Sequence, residues 1–240
     1  MVESQAQGRT LIFPLLGLML RPKGIIFDFD GVLVDTEWAI YQSWVHLYAR
    51  EGQEISIATY APCLGAGYSH WDPAAHLEKL TGKQYDWEKE TPARQAMLEA
   101  ALERMGLMPG AAELLDWCAE QGIGVTVASS SSRRWVQCWL EKLGIYDRFA
   151  GVFTRTDGYP VKPDPALFEA ARACLGLEKE DCLIIEDSEN GTIAAQNAGI
   201  PCAAIPNRMT SASDFSRAAY RFASLLDLLR TLCAAPSSVR

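Results

Sequence analysis

Five short apolar runs punctuate the chain, at residues 24–29, 123–128, 151–154, 182–185 and 202–205. Most are near-continuous rather than alternating, the pattern of strands covered on both faces. Helical periodicity separates the last four: 111–120 leads into the second run, 133–143 follows it, and 165–175 and 192–198 link the later ones. Gly122, Gly144, Gly176 and Gly199 fall where helix C-caps are expected. Strand alternating with helix predicts a parallel sheet in an α/β fold.

The first two runs break this rhythm. Residues 36–108 lie between them, far more than one crossover helix needs. That stretch reads as helical over 38–50, 74–80 and 87–105, and it carries Trp38, Trp44, Trp71 and Trp87, four of the seven tryptophans. It is expected to be an inserted helical domain, residues 36–108, hinged near Asp35-Thr36 and Met108-Pro109-Gly110. Residues 22–35 and 109–240 then form the core. Residues 1–21 are expected to be a disordered or misassigned extension, since Met19 reads like a natural start just ahead of the first strand.

Composition narrows the function. The chain has 240 residues, 49% of them hydrophobic, and a formal charge of -8. That apolar fraction excludes a disordered chain or a collagen-like fibre. The acidic balance argues against general nucleic-acid binding, but a local cation or metal can still hold an anionic small molecule. The apolar stretch at 11–20 is too short to span a bilayer and lacks an A-x-A cleavage pattern. Seven cysteines, odd in number and with no C-x-x-C spacing, read as reduced, buried thiols of a cytoplasmic protein. The expectation is a monomer with no membrane and no nucleic-acid partner.

Four motifs carry chemistry. In Phe27-Asp28-Phe29-Asp30-Gly31, two carboxylates two residues apart on an extended chain would point the same way. They would emerge at the C-terminal edge of a strand, where open α/β sheets build their sites. Asp35 and Thr36 nearby read equally well as helix caps. In Ala128-Ser129-Ser130-Ser131-Ser132, hydroxyls between strand and helix make either an anion site or a plain N-cap. In Val161-Lys162-Pro163, flanking prolines at 160 and 163 restrict the backbone around a lysine that would otherwise read as an exposed loop residue. In Ile185-Glu186-Asp187-Ser188, a second strand ends in paired acids. Were these strands adjacent, Asp28, Asp30, Glu186 and Asp187 would converge, and such a cluster calls for a cation. All-oxygen donors point to Mg²⁺ rather than zinc.

In this order and at these strand ends, the motifs resemble the haloacid dehalogenase superfamily over nearly the whole chain from Lys23. Within it, Asp35-Thr36-Glu37 and Glu186-Asp187-Ser188 resemble the branch of β-phosphoglucomutase and small-metabolite phosphatases. The resemblance implies a Rossmann-like core under a mobile cap. It implies Asp28 as nucleophile, forming an aspartyl-phosphate, and Asp30 as general acid/base. Ser129 and Lys162 would hold the phosphate, with backbone N–H groups of Gly31 and Ser130 beside them. Asp28, the Asp30 carbonyl, Glu186 and Asp187 would form the Mg²⁺ site. Val161 stands where the family more often has glycine.

Substrate choice would fall to the cap. The segment 63–71 is glycine-rich and aromatic, so Tyr68, His70 and Trp71 either close over the leaving group or pack as a helix–helix turn. Glu37, Lys89 and Arg94 are further pocket candidates. The expected activity is Mg²⁺-dependent hydrolysis of a small phosphorylated metabolite, a phosphosugar above all. The alternatives are a sugar phosphomutase and a non-catalytic binding protein on the same fold. Ile40 stands where the mutase has a histidine, which favours hydrolysis.

Overall fold

The apolar runs become the inner strands of one sheet, because each has helices to cover both its faces. A computed structural model describes residues 21–69 and 71–234. Strands β1 (Gly24–Phe27), β2 (Gly124–Ser129), β3 (Gly151–Thr154), β4 (Cys182–Glu186), β5 (Cys202–Ala204) and β6 (Tyr220–Arg221) form a parallel sheet in the order β3-β2-β1-β4-β5-β6. The pairings Phe27–Val127 and Phe27–Ile185 bring the ends of β2, β1 and β4 level. The chain first builds outward through β2 and β3, then crosses to β4 on the other side of β1. That reversal opens a crevice at the C-terminal ends of β1 and β4, the usual binding place of such sheets.

Alternation along β1 sorts its side chains into two cores. Ile25 and Phe27 join Val125, Val127, Leu183 and Ile185 on one face. There they meet Leu114 and Leu115 of α5 (Ala111–Gln121), Val136 and Leu140 of α6 (Arg133–Lys142), and Leu228 and Leu232 of α9 (Leu225–Ala234). Ile26 and Ile184 face the other way, onto Leu167 and Phe168 of α7 (Ala166–Leu175) and Ala194, Ala195 and Ala198 of α8 (Glu189–Ala198). Each fully buried Ile or Phe contributes about 1.5–3 kcal/mol, and the two-sided burial explains why these runs are continuous.

Between β1 and β2 lie α1 (Thr36–Arg50), α2 (Ile57–Tyr60), α3 (Pro73–Thr81) and α4 (Trp87–Leu102). They enclose a separate aromatic-rich cluster around Tyr41, Trp44, Tyr48, Tyr60 and Leu77. The division is not complete, since Ala39, Leu98 and Leu102 belong to the core cluster.

Several boundaries differ from the sequence expectation. β1 stops at Phe27, because Phe29 and Val34 close a tight loop in which Leu33 N–H and Val34 N–H both reach the Phe29 carbonyl. Helix α8 begins at Glu189 rather than 192, because the Ser188 hydroxyl caps the Gly191 N–H at 3.0 Å. β6, the edge strand, and α9, which packs into the core, were not anticipated from the periodicity. Three of the seven cysteines, Cys138, Cys174 and Cys233, are exposed rather than buried, and all seven are free thiols. Among the described residues no helix is long and apolar enough to cross a membrane. The extension 1–21 falls outside the described residues except for Arg21.

Candidate active site

The crevice at the ends of β1 and β4 gathers the acids. Asp28 follows β1 and continues its pairing, its N–H donating to the Ile185 carbonyl at 2.9 Å. Glu186 ends β4 and Asp187 follows it. Oxygens of Asp28, Glu186 and Asp187 all lie within 4.8 Å of one another, and all three residues are buried. A single ammonium sits among them. Lys162, with 0% exposure, donates to Asp28 Oδ1 and to Glu186 Oε1, the latter at 2.6 Å. Its Nζ also lies 4.6 Å over the Phe168 ring. The lysine is therefore a buried counter-charge, not a solvated loop residue.

Glu186 is saturated. Its Oε2 accepts from the N–H groups of Asp187 and Ser188 and from the Ser188 hydroxyl, at 2.8–2.9 Å. Asp187 is held at Oδ2 by Asn207 Nδ2 at 2.7 Å. It crowds Gly31, where a Cβ would lie 2.2 Å from Asp187 Oδ2 and the backbone has a φ of +85°. Only glycine fits there.

Asp30 lies beyond the end of β1 and lines the same cavity as Asp28, but with its own set of donors. Its Oδ1 accepts from the Thr36 hydroxyl at 2.5 Å and Trp135 Nε1 at 2.9 Å. Its Oδ2 accepts from Ser131 Oγ at 2.5 Å and Ser129 Oγ at 3.4 Å. Thr36, left open by the sequence between a helix cap and a functional role, serves this carboxylate. Ser131 and Trp135 were also missed. Ser131 sits in the serine run that the sequence flagged, whereas nothing in the sequence aims the Trp135 indole at Asp30.

Burial pushes the Asp28 carboxyl up to about 8; Lys162 opposes the rise, and Glu186 and Asp30 add to it. Burial likewise raises Asp187 well above the carboxylate range, with Glu186, Asp28 and Glu37 adding. For Lys162 burial works downward, but Asp28 and Glu186 outweigh it and hold the ammonium above its usual value. Three buried carboxylates thus share one cation, and two of them resist ionisation. This donor set fits a hard divalent ion with oxygen ligands.

Above this floor is a cavity of about 690 Å³. Asp28, Asp30, Ser129, Ser130 and Val161 line it from the core, and Glu37, Ile40, Tyr60, Tyr68 and Arg94 from the inserted helices. Arg155, after β3, also reaches it, a cation the sequence did not single out. Burial raises the Glu37 carboxyl well above its usual range, with Asp30, Asp28 and Asp35 adding. Arg94 Nη1 donates to Ser43 Oγ at 3.0 Å, and its guanidinium stacks 4.5 Å over Trp44. Tyr68 is 39% exposed, and its hydroxyl accepts from Trp44 Nε1 at 2.8 Å.

Other expected site residues fall elsewhere. Trp71 packs edge-on against Tyr60 and beside His76, and does not line the cavity. Its indole fills the aromatic cluster of the insertion, the alternative left open by the sequence. Lys89 pairs with Asp86 in solvent at 2.6 Å. His70 lies outside the described residues. The Gly31 N–H is not available for phosphate, because it donates to the Val34 carbonyl at 2.7 Å. Ser130 contributes its hydroxyl by accepting the Lys162 N–H at 3.1 Å.

The family model for haloacid dehalogenase-like hydrolases matches residues 25–205. A Bacillus subtilis (strain 168) protein named "Putative phosphatase YhcW" is 32% identical over 206 residues, covering 86% of this chain and 93% of that protein. The Beta-phosphoglucomutase of the same strain is 30% identical over 196 residues, covering 74% and 80%. The structure of CbbY from Rhodobacter sphaeroides (mutant) in complex with xylulose-(1,5)bisphosphate superposes with a TM-score of 0.69 at 23% identity, covering 88% of this chain and 99% of that one. With a family match spanning all four of its motifs and β1 through β5, this chain belongs to the haloacid dehalogenase-like hydrolases.

Proposed function

We propose that the protein is a Mg²⁺-dependent phosphomonoester hydrolase acting on a small phosphorylated metabolite, with phosphosugars the favoured class. The observation that carries this reading is the Asp28 carboxylate, paired with a fully buried Lys162 at the floor of a cavity of about 690 Å³. A phosphoryl group entering over Asp28 would meet Lys162 and the Ser129 hydroxyl. Asp28 would attack phosphorus and carry the phosphoryl as an aspartyl-phosphate, splitting one displacement into two. Asp30 would protonate the departing oxygen and then take a proton from the water that attacks the intermediate. Ser129, Ser131, Thr36 and Trp135 hold its carboxylate in place for the second role.

Asp28 and Asp187 are the carboxylates to hold Mg²⁺ directly, with Glu186, already saturated by Lys162 and three donors, orienting the site from behind. Bound there, the ion would supply charge neutralisation for the phosphoryl oxygens.

The relatives named phosphatase and phosphoglucomutase, and a neighbour solved with a sugar bisphosphate, support a phosphosugar substrate. Ile40 lines the cavity, and an aliphatic side chain there cannot relay protons, which favours loss of the phosphoryl to water over its return to sugar.

Phosphorus NMR on the protein with Mg²⁺ and pooled phosphometabolites tests the reading. Growth of inorganic phosphate, abolished by EDTA and by Asp28→Asn, is the expected result. A hexose 6-phosphate formed from a hexose 1-phosphate without free phosphate would establish a mutase instead.

A further inference from the structure

The segment that follows β5 belongs to the core, yet three consecutive residues of it reach three different places. Asn207 donates from Nδ2 to Asp187 Oδ2 at 2.7 Å and to the Gly31 carbonyl at 3.3 Å. Its Oδ1 accepts from the Met209 N–H at 2.8 Å and the Thr210 hydroxyl at 3.4 Å. Those two donors fix which end of the amide is oxygen, so the NH₂ end must face the carboxylate. Thr210 is fully buried and its hydroxyl accepts the Asn207 N–H at 3.0 Å, which locks the turn.

Arg208 points the other way. It pairs with Asp35 Oδ2 at 2.5 Å, at the junction of β1 and α1, and stacks 4.0 Å over the Trp38 ring. The second oxygen of Asp35 is buried without a partner, so Arg208 is what holds that carboxylate. Met209 enters the inserted helices. It is 2% exposed and is the one buried member of the cluster around Tyr41, Trp44 and Tyr60 that comes from outside residues 36–108, among the described residues.

A neutral amide suits the task at Asp187. It orients one carboxylate oxygen without bringing a charge that would compete with a cation, and no donor among the described residues reaches the other oxygen. A lysine or arginine there would oppose metal binding.

We propose that Asn207 is a positioning residue for the Asp187 carboxylate, and that Arg208 and Met209 make this placement depend on the inserted helices being seated. The proposal rests on the metal-dependent reading above. When the helices lift away, Met209 must leave its cluster and Arg208 must release Asp35, and the turn that carries Asn207 loses two of its anchors. The carboxylate is then held at full order only under a closed lid, which ties metal-site order to substrate enclosure.

The test is Mn²⁺ binding to the full chain without substrate, followed by the electron paramagnetic resonance signal of free Mn²⁺. Loss of an orienting partner typically weakens metal affinity about 10- to 100-fold, so Asn207→Ala is expected to weaken Mn²⁺ by about tenfold. With saturating Mg²⁺ its substrate KM should stay near that of the unaltered protein. Arg208→Ala removes the pair with Asp35 and the stacking on Trp38 at a half-exposed position, and leaves Met209 in its buried cluster. It is expected to weaken Mn²⁺ about threefold, within the range of transmitted effects. Unaltered Mn²⁺ binding in Asn207→Ala would overturn the positioning role. Unaltered binding in Arg208→Ala, with a loss in Asn207→Ala, would overturn the coupling. Absence of Mn²⁺ binding in the unaltered protein would instead bring down the metal-dependent reading, and this inference with it.

Discussion

The floor and the wall of the cavity are built on different principles. On the floor every carboxylate has an assigned donor: Lys162 for Asp28, Lys162 and three groups of the following turn for Glu186, Asn207 for Asp187, and four donors for Asp30. These side chains are anchored on strand ends that the sheet holds in register. The wall supplied by the insertion is looser. Tyr68 is partly exposed, and no donor among the described residues reaches the Glu37 carboxylate, although it faces the cavity. The contrast follows from what each side must do. Phosphoryl transfer needs charges fixed before the reaction begins. A wall that recognises the rest of a substrate can be adjusted residue by residue without disturbing that arrangement.

Substitutions on the two sides should therefore separate chemistry from binding. Asp28→Asn heads the order: phosphate release is expected to fall by at least about 10⁴-fold while thermal melting stays cooperative. Retained turnover would remove Asp28 as the nucleophile. Lys162→Met leaves Asp28 and Glu186 facing each other without their ammonium. Breaking a buried pair in this way costs about 3–5 kcal/mol, to be read from urea unfolding of the metal-free protein at neutral pH.

The same cluster makes the metal-free protein sensitive to pH. In the folded state Asp28 keeps its proton up to about 8, whereas its ordinary value is 3.8. The unfolded chain thus releases this proton first as pH rises, so stability should fall between about pH 4 and pH 8. Asp187, also raised, acts in the same direction. Added Mg²⁺ should flatten this slope, since a cation favours the ionised carboxylates. A slope of the opposite sign in EDTA would show that Lys162 neutralises the cluster by itself.

On the wall the effects should be smaller and confined to binding. Arg94→Ala and Arg155→Ala are each expected to raise KM about tenfold for an anionic substrate, the worth of one charge-assisted hydrogen bond, with kcat nearly constant. A fall in kcat as large as the rise in KM would place either arginine on the transferring phosphoryl and erase the contrast. Smallest of all, Trp71→Phe should cost about 1 kcal/mol of stability, through its contacts with Tyr60 and His76, and leave KM unchanged.

Part of this was legible because it depends on local order. The parallel sheet follows from continuous apolar runs separated by helices, and the acids at 28, 186 and 187 stand at strand ends whatever the tertiary details. Adjacency of β1 and β4 then brings those acids together. Asp30 marks the limit of such reasoning. Its partners depend on how the chain runs past Phe27, where Gly31 N–H pairs with the Val34 carbonyl in a tight loop. The run 206–234 shows another limit: β6 has two residues, too few for any periodicity to register.

The sequence by itself determined the fold class, the order of the motifs and the strand-end positions of Asp28, Glu186 and Asp187, because hydrophobic period and strand-end position are properties of neighbouring residues. Tertiary structure alone decided that Lys162 is buried, that Trp135 and Ser131 hold Asp30, that Trp71 packs inward while Arg155 faces the cavity, and that Asn207 meets Asp187. The contacts of Lys162, Trp135, Ser131 and Asn207 join residues brought together by folding from 20 or more positions apart. No local rule sets the direction of such a side chain; only the packing of its neighbours does.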